Sequence, residues 1–289
     1  MHLTRLLRLL GLGLLLLLPA CRRAGTGVDA GGPRIVSLAP NLTEIVCAVG
    51  GRDLLVGRTT ACNYPPEALG DVPAIGGFGV PSMELLVAAA PTLILDVDLE
   101  DEALSQKFQA LGLRRERIAC RTLDDIPAAI RQIGELCERP AQADTLAAAL
   151  ESDIARLRRQ SAQTARRPTV YVEIWNDPMT TVGRDTFLSE LVALAGGQNI
   201  GDETAREYFQ ASAEWVLSRN PDVILCLYMS EHRAPGRLLS ERPGWQRVAA
   251  VTHHAVCDGF NNDVLLRPGP RVIEGVEALR RCLTSGPSP

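Results

Sequence analysis

Histidines are the first residues to consider as metal ligands, and this chain has few of them. A transition-metal site shared by two lobes needs about three or four His, Asp or Glu ligands drawn from both halves. Beyond the first twenty residues the histidines are His232, His253 and His254, all in the second half. His253 and His254 directly precede a predicted strand, where neighbouring side chains alternate in direction and cannot chelate one ion together. We therefore expect no metal site and no resident cofactor.

An acidic cluster near residue 100 does not have the pattern of a calcium loop. Its members are Asp96, Asp98, Glu100, Asp101 and Glu102, without the glycine and the spacing of an EF-hand. No G-x-S-x-G, P-loop or dinucleotide-binding motif occurs in the chain. Because nothing provides a nucleophile with its base, the sequence indicates a binding protein and not an enzyme.

Two glutamates, Glu84 and Glu214, occupy matching places in the two halves of the chain. Each follows a serine by two residues and precedes a proline by seven, and an apolar run comes after each proline. An earlier match, in the same order, pairs residues 43–51 with residues 189–197. Each of those segments is expected to be a short helix that begins at its hydroxyl residue, Thr43 or Ser189, and ends at glycine. Two matches in order predict a duplicated architecture.

Short apolar runs alternate with helical segments, which predicts parallel sheets covered by helices on both faces, one sheet per lobe. The expected strands are residues 34–38, 54–57, 92–95, 117–120, 169–174, 223–227 and 255–257.

Between the halves, residues 141–163 contain neither glycine nor proline. Leu146, Leu150, Ile154 and Leu157 fall on one helical face, so a single helix of about 35 Å is predicted. The fold class is therefore α/β, with two Rossmann-like lobes joined by one long, stiff helix. A ligand cleft is expected where the carboxyl ends of the strands of both lobes meet.

The N-terminus has the features of an export signal. Arg5 and Arg8 precede a leucine-rich run over residues 9–18, which is too short to span a bilayer but suits a signal peptide. Leu18-Pro19-Ala20-Cys21 resembles a lipobox, in which Cys21 becomes the lipidated first residue. An exported protein on the periplasmic or cell-surface side of a bacterial membrane is expected.

This organisation divides the chain into successive segments. They are a signal peptide (1–20), a lipidated tether (21–33), an N-terminal lobe (34–140), a linker helix (141–165), a C-terminal lobe (166–283) and a disordered tail (284–289).

Composition limits the partners. The net charge is −4 with no long basic run, which argues against nucleic acid. Seven cysteines follow Cys21, an odd number that leaves at least one thiol unpaired, and their pairing stays open. We expect a monomer.

Several segments together resemble the helical-linker class of periplasmic binding proteins, and within it the cobalamin-binding branch. They are RIVSLAPNLTE (34–44), NYPP (63–66), GGF (76–78), SME (82–84), PDVI (221–224) and RPGPR (267–271). The first marks the class, and NYPP with PGPR favours the cobalamin branch. The resemblance implies a substrate-binding lipoprotein that delivers its ligand to the permease and ATPase subunits of an ABC importer.

The resemblance also implies a role for the paired glutamates. In this class one acidic residue on each lobe docks onto arginines of the transporter, and the matching positions are Glu84 and Glu214. The alternative for each is stabilisation of a helix N-terminus.

Ligand contacts carried over from the family fall on Pro40, Tyr64, Phe78, Tyr208, Asp263 and Arg271. A corrinoid is a broad apolar disc fringed with amides, so its slot needs flat walls and a few polar groups. Aromatic residues are scarce, at 4%, and those at predicted strand ends add Trp175 and Phe260 to the slot. Asp263 and Arg271 could bond ligand amides or each other, and Arg271 could instead be a first-turn residue of the last helix.

Two alternatives stay open. Haem or an anionic iron–siderophore complex would need cationic groups in the cleft, for which Arg58, Arg184 and Arg271 are candidates. A surface-anchored sensory or adhesion module would need neither a tight ligand nor the paired glutamates. The expected ligand, cobalamin, brings its own cobalt.

Overall fold

The computed structural model describes residues 32–97, 102–228 and 235–285. The predicted signal peptide, Cys21, His232 and most of the acidic cluster lie outside these residues. The strands of the described residues are β1 (Ile35–Ser37), β2 (Leu55–Arg58), β3 (Gly76–Gly77), β4 (Val80–Pro81), β5 (Leu93–Asp96), β6 (Arg115–Arg117), β7 (Thr169–Asn176), β8 (Met179–Val182), β9 (Gln198–Asn199), β10 (Tyr208–Gln210), β11 (Val223–Cys226) and β12 (Val256–Cys257).

Their helices are α1 (Pro40–Ala48), α2 (Pro66–Leu69), α3 (Met83–Ala88), α4 (Glu102–Ala110), α5 (Asp125–Leu136), α6 (Pro140–Ala162), α7 (Phe187–Ala195), α8 (Ala213–Arg219), α9 (Pro235–Glu241), α10 (Ala249–Thr252), α11 (Asn262–Leu266) and α12 (Val272–Ser285). No helix among the described residues is long and apolar enough to cross a membrane.

The N-terminal lobe, from β1 to α5, contains a parallel sheet in the order β2-β1-β5-β6. Its last strand begins two residues earlier than the apolar run 117–120 suggests. Arg115 in β6 forms an ion pair with Asp96 at the end of β5, which lets a charged segment serve as the edge strand. The apolar Ile118 follows the strand and is buried in the core.

The C-terminal lobe, from β7 to α12, contains a mixed sheet in the order β10-β8-β7-β11-β12, with β9 beside β7. The parallel strands β7, β11 and β12 match the prediction, whereas β8 and β10 are antiparallel and were not predicted. Only Asp177-Pro178 separates β7 from β8, which is too short for a crossover helix and therefore requires an antiparallel hairpin.

The long helix α6 joins the lobes, as the glycine-free segment predicts. It buries Ala143, Ala147, Leu150, Ile154 and Leu157 on one face. Through that face it packs against α5 of the N-terminal lobe and against α7 and α12 of the C-terminal lobe. Both lobes therefore share a core with the helix, which couples them more firmly than a flexible strand connection would.

The duplication extends to details of the backbone. Ser82 caps α3 by accepting from the Leu85 amide, and Ser212 caps α8 by accepting from the Trp215 amide. Before the matching prolines, Ala90 and Asn220 both have positive φ, at 46° and 43°. These pairs confirm that α3-β5 and α8-β11 are equivalent units.

The predicted helix starts in the earlier matched pair were wrong. Helix α1 begins at Pro40 rather than Thr43, since proline is favoured at the first helical position. The Thr43 hydroxyl is buried and donates to the Ala39 carbonyl. Helix α7 is capped by Thr186, three residues before Ser189. The predicted glycine stops are present, because Gly50 and Gly196 follow the two helices with positive φ.

One disulfide joins two elements of the C-terminal lobe. Cys257 at the end of β12 is bonded to Cys282 in α12. The other cysteines in the described residues, Cys47, Cys62, Cys120, Cys137 and Cys226, are free thiols. The disulfide anchors the last helix to the sheet, and α12 follows directly after the segment that enters the candidate site.

Candidate functional site

A buried glutamate links the lobes at the carboxyl end of β1. Glu44 lies in α1 of the N-terminal lobe with only 4% of its side chain exposed. Arg271 of the C-terminal lobe donates to both carboxylate oxygens, from Nε and from Nη2, at 2.8 Å each. Arg267 donates to Glu44 from Nη1 at 3.3 Å. One carboxylate therefore holds two arginines from the other lobe.

Tyr64 and Asp263 belong to the same centre. The Arg271 guanidinium lies over the Tyr64 ring, with Cζ 3.7 Å from the ring centroid. Asp263 accepts from Asn63 Nδ2 at 2.9 Å and forms an ion pair with Arg267 at 2.7 Å. The polar partner of Asp263 is thus Arg267, whereas Arg271 pairs with Glu44.

The charge of Arg271 is maintained by its partner. Burial alone would lower the pKa of this guanidinium, but the hydrogen bonds and negative charge of Glu44 outweigh burial and raise the pKa. The bidentate geometry fixes the side-chain direction as well as the charge. Arg271 directly precedes α12, which begins at Val272. Because the Cys257–Cys282 disulfide fixes α12 to β12, it also restricts the position of the Arg271 backbone.

Pro40 precedes a second contact between the lobes, in which side chains of the N-terminal lobe donate to the Pro268 carbonyl. As the first residue of α1 it precedes Asn41, whose Nδ2 donates to the Pro268 carbonyl at 3.1 Å. The Cys120 thiol donates to the same carbonyl at 3.2 Å. The segment 267–271 is therefore bound by the N-terminal lobe along its length.

Among the described residues, Phe78, Trp175 and Tyr208 form no ring contact or hydrogen bond with Glu44, Arg267, Arg271 or Asp263. Tyr64, Phe78, Trp175 and Tyr208 are all exposed, in contrast to the core aromatics Trp245, Tyr171 and Phe108. Large aromatic side chains left in solvent at strand ends are unusual, and they offer apolar surface for a ligand. Val97, which follows β5, packs against the core instead.

Phe78 lies at the tip of the β3-β4 hairpin, whose close approach depends on glycine. Gly76 has φ of +136°, and a Cβ there would lie 2.6 Å from the Val80 carbonyl oxygen. Only glycine fits, so the hairpin can fold back tightly and present the Phe78 ring outward.

Phe260 is placed differently from the other predicted contacts. It is half-buried and lines a cavity of about 380 Å³ within the C-terminal lobe, between α11, α12 and the Cys257–Cys282 disulfide. This cavity backs onto α11, the helix that carries Asp263.

A second buried ion pair lies in the C-terminal lobe, at β7. Glu173 in β7 is fully buried and receives Arg242 in a bidentate pair at 2.7 and 2.8 Å, while Tyr228 also donates to it. Asn262 Nδ2 donates to the Tyr228 carbonyl at 2.6 Å. This chain of contacts connects β7, the strand that carries Trp175, to α11, the helix that carries Asp263.

The paired glutamates occupy equivalent, exposed positions. Glu84 lies in the first turn of α3 and Glu214 in the first turn of α8. Neither forms an ion pair within the described residues. The pKa of Glu214 is lowered by backbone and Ser212 hydrogen bonds, which favour its ionised form. Both carboxylates are available to an external cation.

Sequence reasoning missed the role of Glu44 and Arg267. Glu44 occupies the place in the first repeat that Glu190 occupies in the second, and Glu190 also bonds across the lobes, since it accepts from the Leu123 amide at 2.6 Å. A glutamate at the same place in both repeats, Glu44 and Glu190, was the available signal.

Comparisons with known proteins agree with this architecture. A family model described as periplasmic binding protein matches residues 35–260. An uncharacterized ABC transporter substrate-binding lipoprotein, YvrC of Bacillus subtilis, is 31% identical over 257 residues, covering 85% of this chain and 78% of the relative. A vitamin B12-binding protein of Pectobacterium carotovorum is 29% identical, covering 87% and 88%.

Two solved structures with similar folds bind different ligands by their names. The vitamin B12-binding protein BtuF of Vibrio cholerae has a TM-score of 0.74 and 28% identity, covering 88% of this chain and 97% of that structure. The heme-binding protein RhuT of Roseiflexus has a TM-score of 0.78 and 28% identity, covering 89% and 99%. Fold similarity alone thus leaves the ligand to be argued from the site.

Proposed function

Since the chain belongs to the periplasmic binding protein family, as the substrate-binding component of an ABC importer, we propose that its ligand is cobalamin or a related corrinoid. Such a protein binds a small molecule outside the cytoplasmic membrane and delivers it to a permease and its ATPase. It performs no catalytic step. The proposed slot lies between the lobes, beside Tyr64 and Arg271, with Pro40, Phe78, Trp175, Tyr208, Phe260 and Asp263 around it.

The observation that carries this proposal is the neutralisation of the arginines at the centre. Glu44 forms ion pairs with both Arg271 and Arg267, and Arg267 also forms an ion pair with Asp263. Arg58 donates to the carbonyls of Thr59 and Cys62. An anionic ligand would have to break the carboxylate pairs of Arg271 and Arg267, whereas a neutral ligand fringed with amides can use the same groups as they stand.

The exposed aromatic side chains support the same ligand. Tyr64, Phe78 and Tyr208 offer flat apolar faces, while Asp263 and Asn63 offer an acceptor and a donor within one hydrogen-bonded group. A corrinoid needs this combination of broad apolar walls and few polar groups. Several relatives named as vitamin B12-binding proteins match most of the chain, which is consistent with the proposal.

Haem is the second candidate, favoured by one feature. Tyrosine can ligate haem iron, and both Tyr64 and Tyr208 are exposed. The two propionates of haem would, however, require free cations. Arg184 is exposed but lies on the loop after β8, and the other two candidate arginines already have acceptors.

A titration separates these ligands. The mature protein is titrated with cyanocobalamin, haemin and a ferric hydroxamate while tryptophan fluorescence is followed. We expect cyanocobalamin to bind at one site with a Kd below about 1 μM, a free energy near −8 kcal/mol, and haemin to bind at least tenfold more weakly. Tighter binding of haemin or of the siderophore complex would contradict the corrinoid proposal.

The organisation of the chain follows from the same proposal. We infer a signal peptide over residues 1–20, lipid attachment at Cys21 and a short tether over residues 21–33, of which residues 1–31 lie outside the described part of the chain. The relative YvrC is named a lipoprotein, which supports the anchor. A Cys21→Ser variant is the corresponding probe of membrane attachment.

A further inference from the structure

Exposed apolar side chains are concentrated in two places on this protein. Eight large hydrophobic side chains are exposed among the described residues. Four of them, Tyr64, Phe78, Trp175 and Tyr208, belong to the proposed slot. Three of the other four lie within eight residues of one another, at Val80, Leu85 and Val87. We call these three side chains the α3 patch.

The α3 patch shares its helix with one of the proposed docking glutamates. Val87 follows Glu84 by three residues and so lies on the same side of α3, and Leu85 is adjacent. The exposed fractions are 75% for Val80, 48% for Leu85 and 50% for Val87. Leu86, on the opposite side, is fully buried in the core, so the helix needs none of the three for its own packing.

The equivalent helix of the other lobe presents a different surface. Trp215, at the place of Leu85, is half-buried against Phe209 and donates from Nε1 to Glu203. Arg219 pairs with Glu203 at 2.8 Å and lies over the Trp215 ring. The surface beside Glu214 is therefore polar and already ion-paired, whereas the surface beside Glu84 is apolar and uncovered.

From this difference we propose that the α3 patch is the apolar half of the docking surface for the importer's permease. The permease segment that covers it would pair a basic residue for Glu84 with aliphatic or aromatic side chains for Val80, Leu85 and Val87. The proposal rests on the proposed transport function. It adds that docking is chemically asymmetric, with an apolar contact on the N-terminal lobe and a polar one on the C-terminal lobe.

Three considerations identify the permease as the occupant. Membership of the importer family requires a membrane partner, and Glu84 provides a carboxylate without an ion pair in the described residues at the edge of the patch. A carboxylate beside aliphatic side chains matches the charge-plus-apolar composition of specific interfaces. The pseudo-equivalent position of Glu214 places a second anchor on the other lobe, so both can face one partner.

The test compares the affinity of variants for the cognate permease–ATPase complex in nanodiscs. Leu85→Gln with Val87→Thr keeps the size and helical propensity of the side chains but makes them polar. Loss of the apolar contact is expected to weaken docking about tenfold, on the scale of partial burial of two aliphatic side chains. Leu111→Gln, at 48% exposure and directly after α4, is the matched control and should dock like the wild type.

Further readouts distinguish the possible outcomes. Because the removed contact is apolar, the variant should show the same dependence on NaCl concentration as the wild type. Its affinity for cyanocobalamin should be unchanged, and Val80→Thr, an isosteric change in β4, should weaken docking without altering the melting temperature. Wild-type docking by the double variant, or equal weakening by Leu111→Gln, would overturn the proposal. A wild-type protein that does not dock would overturn the transport function itself.

Discussion

Replacement of both Glu84 and Glu214 by alanine is expected to abolish transport while leaving ligand affinity unchanged. Each carboxylate stands exposed in a helical first turn without an ion pair in the described residues. Loss of a carboxylate–arginine contact at an interface costs about 2 kcal/mol or more, so loss of both weakens docking about a thousandfold. Uptake of labelled cobalamin into proteoliposomes that contain the transporter measures the effect.

The matched control removes the same charge elsewhere. Glu102→Ala with Glu277→Ala takes one exposed glutamate from a helix of each lobe and should transport like the wild type. Cyanocobalamin should bind the docking variant within about twofold of the wild-type Kd, because neither glutamate contacts the proposed slot. A variant that transports normally, or one that loses ligand affinity in step with transport, would refute the docking role.

Replacement of Glu44 by glutamine should have the largest effect on the folded protein. The change leaves Arg271 without a carboxylate at a buried position, since Glu44 is only 4% exposed, and it leaves Arg267 with Asp263 alone. Breaking a buried ion pair from one side costs about 3 kcal/mol or more. For a domain of this size that lowers the Tm by roughly 6–12 °C. Thermal unfolding followed by circular dichroism measures it.

The same substitution should also change ligand preference. Once the Glu44 carboxylate is removed, Arg271 can receive an anion while Arg267 keeps Asp263, so the affinity for haemin should rise relative to that for cyanocobalamin. Glu190→Gln is the control, since it occupies the equivalent place in the second repeat but accepts only the Leu123 amide. We expect it to cost about 1–2 kcal/mol and to leave ligand preference unaltered. Equal effects of the two substitutions would show that Glu44 does not control the charge of the centre.

The duplicated architecture could be recognised from sequence because it depends on local signals. The serine caps at Ser82 and Ser212 act within one helical turn, and the prolines after Ala90 and Asn220 end the same helices. The linker helix α6 was predictable for a similar reason, since its apolar side chains recur on one face. These features need no knowledge of distant partners.

The contacts that build the centre depend on long-range packing, and sequence reasoning found only part of them. Glu44 and Arg271 are separated by 227 positions, and nothing near either residue indicates the other. Arg271 was proposed as a ligand contact or a helix-start residue, and its pairing with Glu44 appears only once both lobes are in place. The antiparallel strands β8 and β10 were missed because their segments are short and rich in polar residues.

A crystal structure of the mature protein with cyanocobalamin would locate the ligand and show the partners of Arg271. We expect one corrinoid between the lobes, with its ring against Tyr64 and Tyr208 and its amides near Asp263, while Arg271 stays paired with Glu44. A ligand bound instead in the cavity beside Cys257 and Cys282, or a slot in which Arg271 has left Glu44 to bind the ligand, would contradict it.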